Sequence, residues 1–268
     1  MIRVGNISIR SGQSLFPDHS LLIKLDPEEM FDNRGAIKVE WLYEDDSELF
    51  TLICVKRHID RHFGNTDVVL DMPYIPHARM DRVKSDSDVF TLKYFCETIN
   101  DLDFAAVYIE DPHSNVSEAL LDRVQVVSPQ PHIETVIEKI ADENLVMCYP
   151  DEGAMKRYSG MVSKPYSFGV KRRNWADGKI EGLDLMHPEV VAGKNVLIVD
   201  DICSRGGTFF HTAKALKDAG AEKIYLYVTH CEMTIFNGDL LSSGLVEKIY
   251  TTNSIFPGNA ANEMIEII

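Results

Sequence analysis

Six stretches of this chain are short and mostly apolar, at 68–72, 104–109, 144–148, 196–199, 224–229 and 246–250. Such runs predict short strands, and the unbroken Val196-Leu197-Ile198-Val199 predicts one covered on both faces, the pattern of a parallel sheet. Between these runs the spacing changes. Across 89–99, 116–121, 133–140 and 155–162 apolar residues return every three or four positions. After a small-residue turn, Phe209, Ala213, Leu216 and Ala219 fall on one helical face and Gly220 follows. These segments predict amphipathic helices, the last stopped by its glycine. Strand and helix alternate through most of the chain, so the expected class is α/β, with mainly parallel sheets flanked by helices.

The beginning of the chain is less regular. Residues 2–4, 20–25, 36–41 and 50–55 read as short strands, 32–35 and 44–47 as turns, and 57–64 as the basic, polar end of a connection. Residues 166–170 read as another short strand. The stretch 174–194, with Gly178, Gly182, Pro188 and Gly193, reads as mobile and mostly irregular: a lid that closes over a ligand, or a surface hairpin. At 268 residues two packed α/β units are expected. The two prolines within 128–132 mark a crossing, giving units 1–132 and 133–255. Residues 256–268 end in a short helix expected to pack back on the first unit.

Composition narrows the function classes. Apolar content of 45% supports a real core, and the net charge of −15 disfavours a nucleic-acid surface. No run approaches the roughly 20 apolar residues of a membrane span, and the first residues have no apolar signal region, so a cytoplasmic protein with no membrane partner is expected. The five cysteines show neither zinc-like spacing nor a disulfide framework. Local basic clusters at 79–84, 156–157 and 171–173 stand against the acidic background and suit anionic substrates.

The richest chemistry lies at 195–220. Asp200 and Asp201 follow the apolar run, and Ser204, Arg205, Gly206, Gly207 and Thr208 open the helix. Glycines let backbone N–H groups approach an anion, and a helix start favours negative charge. Paired acids at a strand end can hold sugar hydroxyls or Mg²⁺. Upstream, Pro73 and Pro76 keep the chain extended, so Arg79, Asp81, Arg82 and Lys84 sit on a loop after a strand. His113 stands just past the next strand beside Asp111, a position suited to Mg²⁺ or proton handling.

Five motifs in order resemble the ribose-phosphate diphosphokinases (PRPP synthetases), whose ribose-phosphate signature is shared with type I phosphoribosyltransferases. Tyr74-Ile75-Pro76-His77-Ala78-Arg79-Met80-Asp81-Arg82 is similar to the family's PYxxYARQDR, with His77 replacing a tyrosine and Met80 a glutamine. Asp111-Pro112-His113 resembles DLH, and Pro150-Asp151-Glu152-Gly153-Ala154 resembles SPDxGG with Ala154 for a glycine. Lys171-Arg172-Arg173 resembles DKRRP, with Val170 replacing the aspartate and Asn174 the proline; 195–220 carries the ribose-phosphate signature. The family's adenine-contacting segment has no clear counterpart near 30–35. The likeness covers roughly residues 66–260, and family members usually run longer at the C-terminus.

The resemblance implies two phosphoribosyltransferase-like three-layer domains, the first serving ATP and the second the ribose phosphate. It implies transfer of the β,γ-diphosphoryl group of Mg²⁺–ATP to the 1-hydroxyl of ribose 5-phosphate. Lys171 and Arg173 would be catalytic. Arg79, Asp81, Arg82 and His113 would bind ATP, with Mg²⁺ at His113, Asp151 and Asp200. Asp200, Asp201, Ser204, Arg205, Gly206, Gly207 and Thr208 would bind the ribose phosphate. A homo-oligomer, dimer or hexamer, is implied. Within the loop, serine replaces an acid and Arg205 a threonine. The added cation suits a 5′-extended ribose such as ADP-ribose as an alternative acceptor. A base phosphoribosyltransferase would use 200–208 but leave Arg79, His113 and 171–173 unexplained. A non-catalytic regulator on the same fold is the third reading.

Overall fold

The computed structural model describes residues 1–9, 15–30, 35–173 and 180–268, with the backbone alone at 171–173 and 180–182. The chain divides into two compact units, Met1–Ser128 and Pro129–Ile268. The turn expected at 32–35 falls almost wholly outside the described residues.

The first unit is built in the order β1 (Ile2–Val4), β2 (Ile7–Ile9), α1 (Pro27–Met30), β3 (Ile37–Trp41), α2 (Ser47–His62), β4 (Val68–Asp71), α3 (Thr91–Asp101), β5 (Ala106–Glu110), α4 (Asn115–Leu120) and β6 (Val124–Val127). Its sheet runs β2-β1-β3-β4-β5-β6. Strands β3 to β6 are parallel, and β1 is antiparallel to both its neighbours. Ile37, Val39 and Trp41 alternate with Lys38 and Glu40, so β3 has one buried and one open face. Leu52, Val55 and Ile59 of α2 and Leu92, Phe95 and Ile99 of α3 join that buried face in a single cluster. On the open face Lys38 pairs with Glu40 at 3.0 Å and with Asp71 at 2.6 Å, and Arg3 with Glu40 at 3.3 Å.

Helix α2 corrects the sequence reading, which placed a strand at 50–55 and a connection at 57–64. Phe50–Thr51–Leu52–Ile53–Cys54–Val55 has strand-like composition, but burial selects Glu48, Thr51, Leu52, Val55, Lys56 and Ile59, a helical spacing. Two charged residues stand on the buried stripe, which hid the period. Glu48 accepts from Trp41 Nε1 at 2.9 Å and from the Glu44 amide at 2.9 Å. Lys56 Nζ meets Asp60 at 2.6 Å. Residues 20–25 form no strand; Leu21 makes a single bridge to Leu15.

The second unit continues with α5 (Gln130–Ile140), β7 (Val146–Tyr149), α6 (Glu152–Tyr158), β8 (Tyr166–Arg173), β9 (Ile180–Met186), β10 (Val196–Cys203), α7 (Gly207–Asp218), β11 (Ile224–Cys231), β12 (Lys248–Thr251) and β13 (Ile265–Ile267). Its order is β13-β12-β11-β10-β7-β8-β9, parallel except for β9. Here the core lies on both faces. Val196 and Ile198 of β10 enter one cluster with Phe209, Ala213 and Leu216 of α7. Leu197 and Val199 enter another with Ile133 and Val136 of α5 and Tyr158 of α6. The continuous apolar run read from the sequence is the direct result of that two-sided burial.

Three expectations change. The apolar run at 196–199 extends through both acids to Cys203, so Asp200 and Asp201 lie within β10 rather than beyond it. Residues 180–186, read as irregular, are strand β9, antiparallel to β8. The intervening turn at 174–179 lies outside the described residues, and the lid reading with it. Residues 256–268, expected to close on the first unit with a helix, instead add β13 to the second sheet, with Ile249 opposite Ile265.

Candidate functional site

In an open α/β sheet, the loops leaving the carboxyl ends of parallel strands gather at one edge, and chemistry belongs there. Both sheets have such an edge, and every motif singled out in the sequence falls on one or the other.

On the first sheet the edge is formed by the loops after β4 and β5. The two are tied at their base: the Met72 amide donates to Tyr108 O at 2.9 Å and the Glu110 amide to Pro73 O at 2.9 Å. The loop after β4 then buries Ile75 and Ala78, at 1% and 2% exposure, and leaves Arg79 and Arg82 exposed. Asp81 lies 3.4 Å from Arg82 Nε. The loop after β5 carries Asp111, which is buried and adopts a left-handed backbone with φ 40°. Such a conformation is costly for a residue with a Cβ and is found where local contacts hold it. His113 follows, partly exposed, just before α4. Arg79, Asp81, Arg82 and His113 therefore share one sheet edge.

On the second sheet four loops meet. Asp151 follows β7 and caps α6, accepting from the Ala154 amide at 3.1 Å. Close packing beside it demands a residue the sequence reading passed over. A Cβ on Gly169 of β8 would stand 2.5 Å from Pro150 O. Strand β8 then carries the backbone of Lys171 and Arg173 along the hairpin with β9; their side chains lie outside the described residues.

Strand β10 brings Asp200 and Asp201 to the same edge. Asp201 is 5% exposed, and its Oδ2 lies 3.7 Å from Arg157 Nη1. Arg157 thus belongs with the acids, whereas its neighbour Lys156 pairs with Glu152 on the solvated side of α6. Burial first, then the charge of Asp201, push the Asp200 carboxyl well above the ordinary value of 3.8, and Asp151 adds to the effect. The charges of Asp201 and, more weakly, Asp151 thus both bear on the Asp200 carboxyl. Such a cluster suits a divalent cation. Among the described residues no group of three or more acids, histidines or cysteines has the geometry to hold a metal alone. Mg²⁺ takes one or two carboxylates and fills its remaining positions with substrate phosphate and water.

The phosphate loop is built differently from the sequence expectation. Only Ser204, Arg205 and Gly206 are loop; Gly207 and Thr208 already form the first turn of α7. Gly206 has φ 78°, and a Cβ there would meet Leu240 at 2.9 Å, so glycine is required twice over. Gly238 packs so closely on the Arg205 carbonyl that a Cβ there would lie 1.9 Å from its oxygen. The Arg205 side chain is exposed. The Ser204 hydroxyl donates to Glu232 Oε2 at 2.8 Å, which also accepts from the Thr234 hydroxyl at 3.0 Å. Glu232 and Gly238 went unnoticed in the sequence. The Asn237-Gly238 pair was the available signal for a tight turn, but nothing marked Glu232.

Thiol chemistry is disfavoured at this edge. Burial pushes the Cys148 thiol up to about 12. The hydrogen bond to Cys231, followed by burial, raises Cys203 further.

The comparisons with known proteins agree with this architecture. Residues 186–264 match the family model described as the phosphoribosyl synthetase-associated domain. The chain is 27% identical over 248 residues to a ribose-phosphate pyrophosphokinase of Sulfurisphaera tokodaii, covering 90% of this chain and 83% of that one. It is 32% identical over 194 residues to the enzyme of that name from Thermococcus kodakarensis, covering 70% and 66%. Among solved structures, phosphoribosylpyrophosphate synthetase from Mycobacterium smegmatis superposes with a TM-score of 0.68 at 18% identity, over 82% of this chain and 72% of that one, a likeness of fold. With its two mainly parallel sheets, its acid pair and its glycine loop at the edge of the second, the chain belongs to the ribose-phosphate pyrophosphokinase family.

Proposed function

We propose that this protein transfers the β,γ-diphosphoryl group of ATP to the anomeric 1-hydroxyl of ribose 5-phosphate, giving 5-phosphoribosyl 1-diphosphate and AMP. The observation that carries the reading is the edge of the second sheet. There the buried Asp200–Asp201 pair stands directly before a glycine loop that opens the twelve-residue helix α7. Backbone amides of 206–208 receive the 5-phosphate, where the helix start favours an anion. Asp200 and Asp201 accept hydrogen bonds from the ribose hydroxyls. Arg79 and Arg82 engage the ATP phosphates with His113, and Asp81 orients Arg82. Within the second unit Asp151 and Asp200 would hold Mg²⁺, and within the first His113 would; an ion held at either place would neutralise phosphate charge. The 1-hydroxyl oxygen bonds to the β-phosphorus as the bond to the α–β bridging oxygen breaks. AMP keeps that oxygen, and the hydroxyl proton passes to solvent. Lys171 and Arg173 offset the charge that grows on the transferring group. The protein is further read as a cytoplasmic homo-oligomer acting on small molecules.

One observation favours a second acceptor. Arg205 is exposed on a loop whose backbone packs against Gly238, so a cation stands beside the phosphate seat where the family's loop has a threonine. A ribose extended at its 5′ end through a diphosphate, such as ADP-ribose, would use it. Release of AMP from ATP, assayed with each acceptor in turn, tests both readings. AMP with either acceptor supports diphosphoryl transfer and ranks the two. Inertness with both sinks the transfer reading.

A further inference from the structure

The segment that carries Arg79 is held by a device the family likeness does not supply. His77 adopts a left-handed backbone with φ 62°, a conformation histidine visits more readily than most residues with a Cβ but still at some cost. Three contacts hold it. Its Nε2 lies 3.1 Å from Asp46 Oδ1. Its ring centroid is 5.5 Å from that of Phe95 on α3. Its carbonyl accepts from the Met80 amide at 2.8 Å, closing the turn. Asp46 Oδ1 also accepts from the Tyr43 hydroxyl at 2.9 Å, and the Tyr43 ring lies 5.9 Å from Tyr74. Residues 43–46, at the entrance to α2, therefore grip residues 74–77 at two points. Beyond the grip, Ala78 is buried and Arg79 turns outward.

We propose that His77 is a positioning residue for nucleoside triphosphate binding: through Asp46 it fixes the turn that presents the Arg79 guanidinium to the phosphates. This rests on the reading of Arg79 as an ATP ligand given above. The family's segment has tyrosine where this chain has His77, so the pair with Asp46 is this chain's own way of setting the loop. Asp46 is 68% exposed, and a pair screened to that degree contributes little to stability. Its effect falls on the direction of the guanidinium, where a displacement on the order of 1 Å is costly for binding and rate.

The test titrates Mg²⁺–ATP into the full-length protein by calorimetry, with Tm measured on each variant. His77→Ala weakens ATP affinity by about threefold to tenfold, and in turnover the loss lies in KM for ATP more than in kcat. His77→Gln carries its amide N–H close to the position of Nε2 and can keep the contact to Asp46, so it recovers most of the affinity. His77→Gly relieves the backbone but lacks the ring, so it does not. His77→Ala combined with Asp46→Ala is no weaker than His77→Ala alone, since both act through one contact. Wild-type affinity in His77→Ala overturns the proposal, as does full affinity in His77→Gly, or additive losses in the double variant. A fall in Tm shared by the Ala and Gln variants assigns His77 a structural role and also overturns it. Arg79→Ala separates the two levels. If Arg79→Ala loses affinity and His77→Ala does not, only the positioning role falls. If the wild-type protein binds no Mg²⁺–ATP, the ATP reading falls and the positioning role with it.

Discussion

The two units place their candidate groups on the same kind of sheet edge, but they support them differently. In the second unit helices cover both faces of the sheet, and Asp201 sits at 5% exposure between two packed layers. In the first unit the buried side chains form one cluster, the other sheet face carries Arg3, Lys38, Glu40 and Asp71, and Arg79 is presented on an exposed turn. Acids that must stay close together against their own repulsion need a rigid, desolvated frame, and two-sided burial gives one. Cations that engage a flexible polyphosphate need reach, and a surface turn pinned by a few polar contacts gives that. Changes in the second unit should therefore move stability and function together or in opposite directions. Changes on the first unit's edge should move function with little change in stability.

The largest separation is expected at Arg79. Arg79→Ala should weaken ATP binding by about 10- to 100-fold, the range of a lost charge-assisted contact. Its unfolding free energy should stay within about 0.5 kcal/mol of wild type, as for other surface substitutions; calorimetric binding and thermal melts check the pair. Gly238→Ala is the counterpart in the second unit. Its Cβ would lie 1.9 Å from Arg205 O, so the phosphate loop must shift. Stability should fall by about 1–3 kcal/mol and KM for the acceptor should rise, both visible in one preparation.

Asp200→Asn should oppose the two properties. Because the folded state raises the Asp200 carboxyl, its ionised form is disfavoured by folding. The cost is present above the folded value and disappears as pH falls below the ordinary one. Removing the charge should raise Tm of the ligand-free protein at neutral pH, by roughly 2–4 °C per kcal/mol relieved, while activity drops. A lower Tm would contradict the account of the acid cluster.

Glu266 on β13 gives the smallest expected effect. Hydrogen bonds from Lys139, at 2.8 Å, and from Lys248 hold its carboxyl below the usual 4.5. Its contribution is present above that value and is lost as pH falls through the lowered one. Glu266→Gln should cost less than about 1 kcal/mol, and the difference from wild type should vanish in acid melts.

The same contrast explains what was legible in the sequence. Where strands are buried on both faces the apolar run is nearly unbroken, and β7, β10 and β11 are legible in the sequence; β10 reads short only because Asp200 and Asp201 look like its end. In the first unit, residues 50–55 of α2 read as a strand because Glu48 and Lys56, buried with specific partners, interrupt its apolar stripe. The last residues suit a helix by local preference, yet pairing of Ile265 with Ile249 turns them into the edge strand β13. The glycine loop, the acid pair and the Arg79 and His113 segments were visible as motifs. Arg157 was given a place on its helix but no role at the acids. Glu232, Gly238 and Gly169 were not visible, because their roles depend on contacts between segments distant in the chain.

Phosphorus NMR of the protein incubated with ATP, Mg²⁺ and ribose 5-phosphate tests the central claim most directly. The account predicts AMP together with a sugar carrying a diphosphoryl group at C1, in equal amounts. Formation of ADP with a monophosphorylated product, or an unchanged ATP spectrum with both ribose 5-phosphate and ADP-ribose, would contradict it.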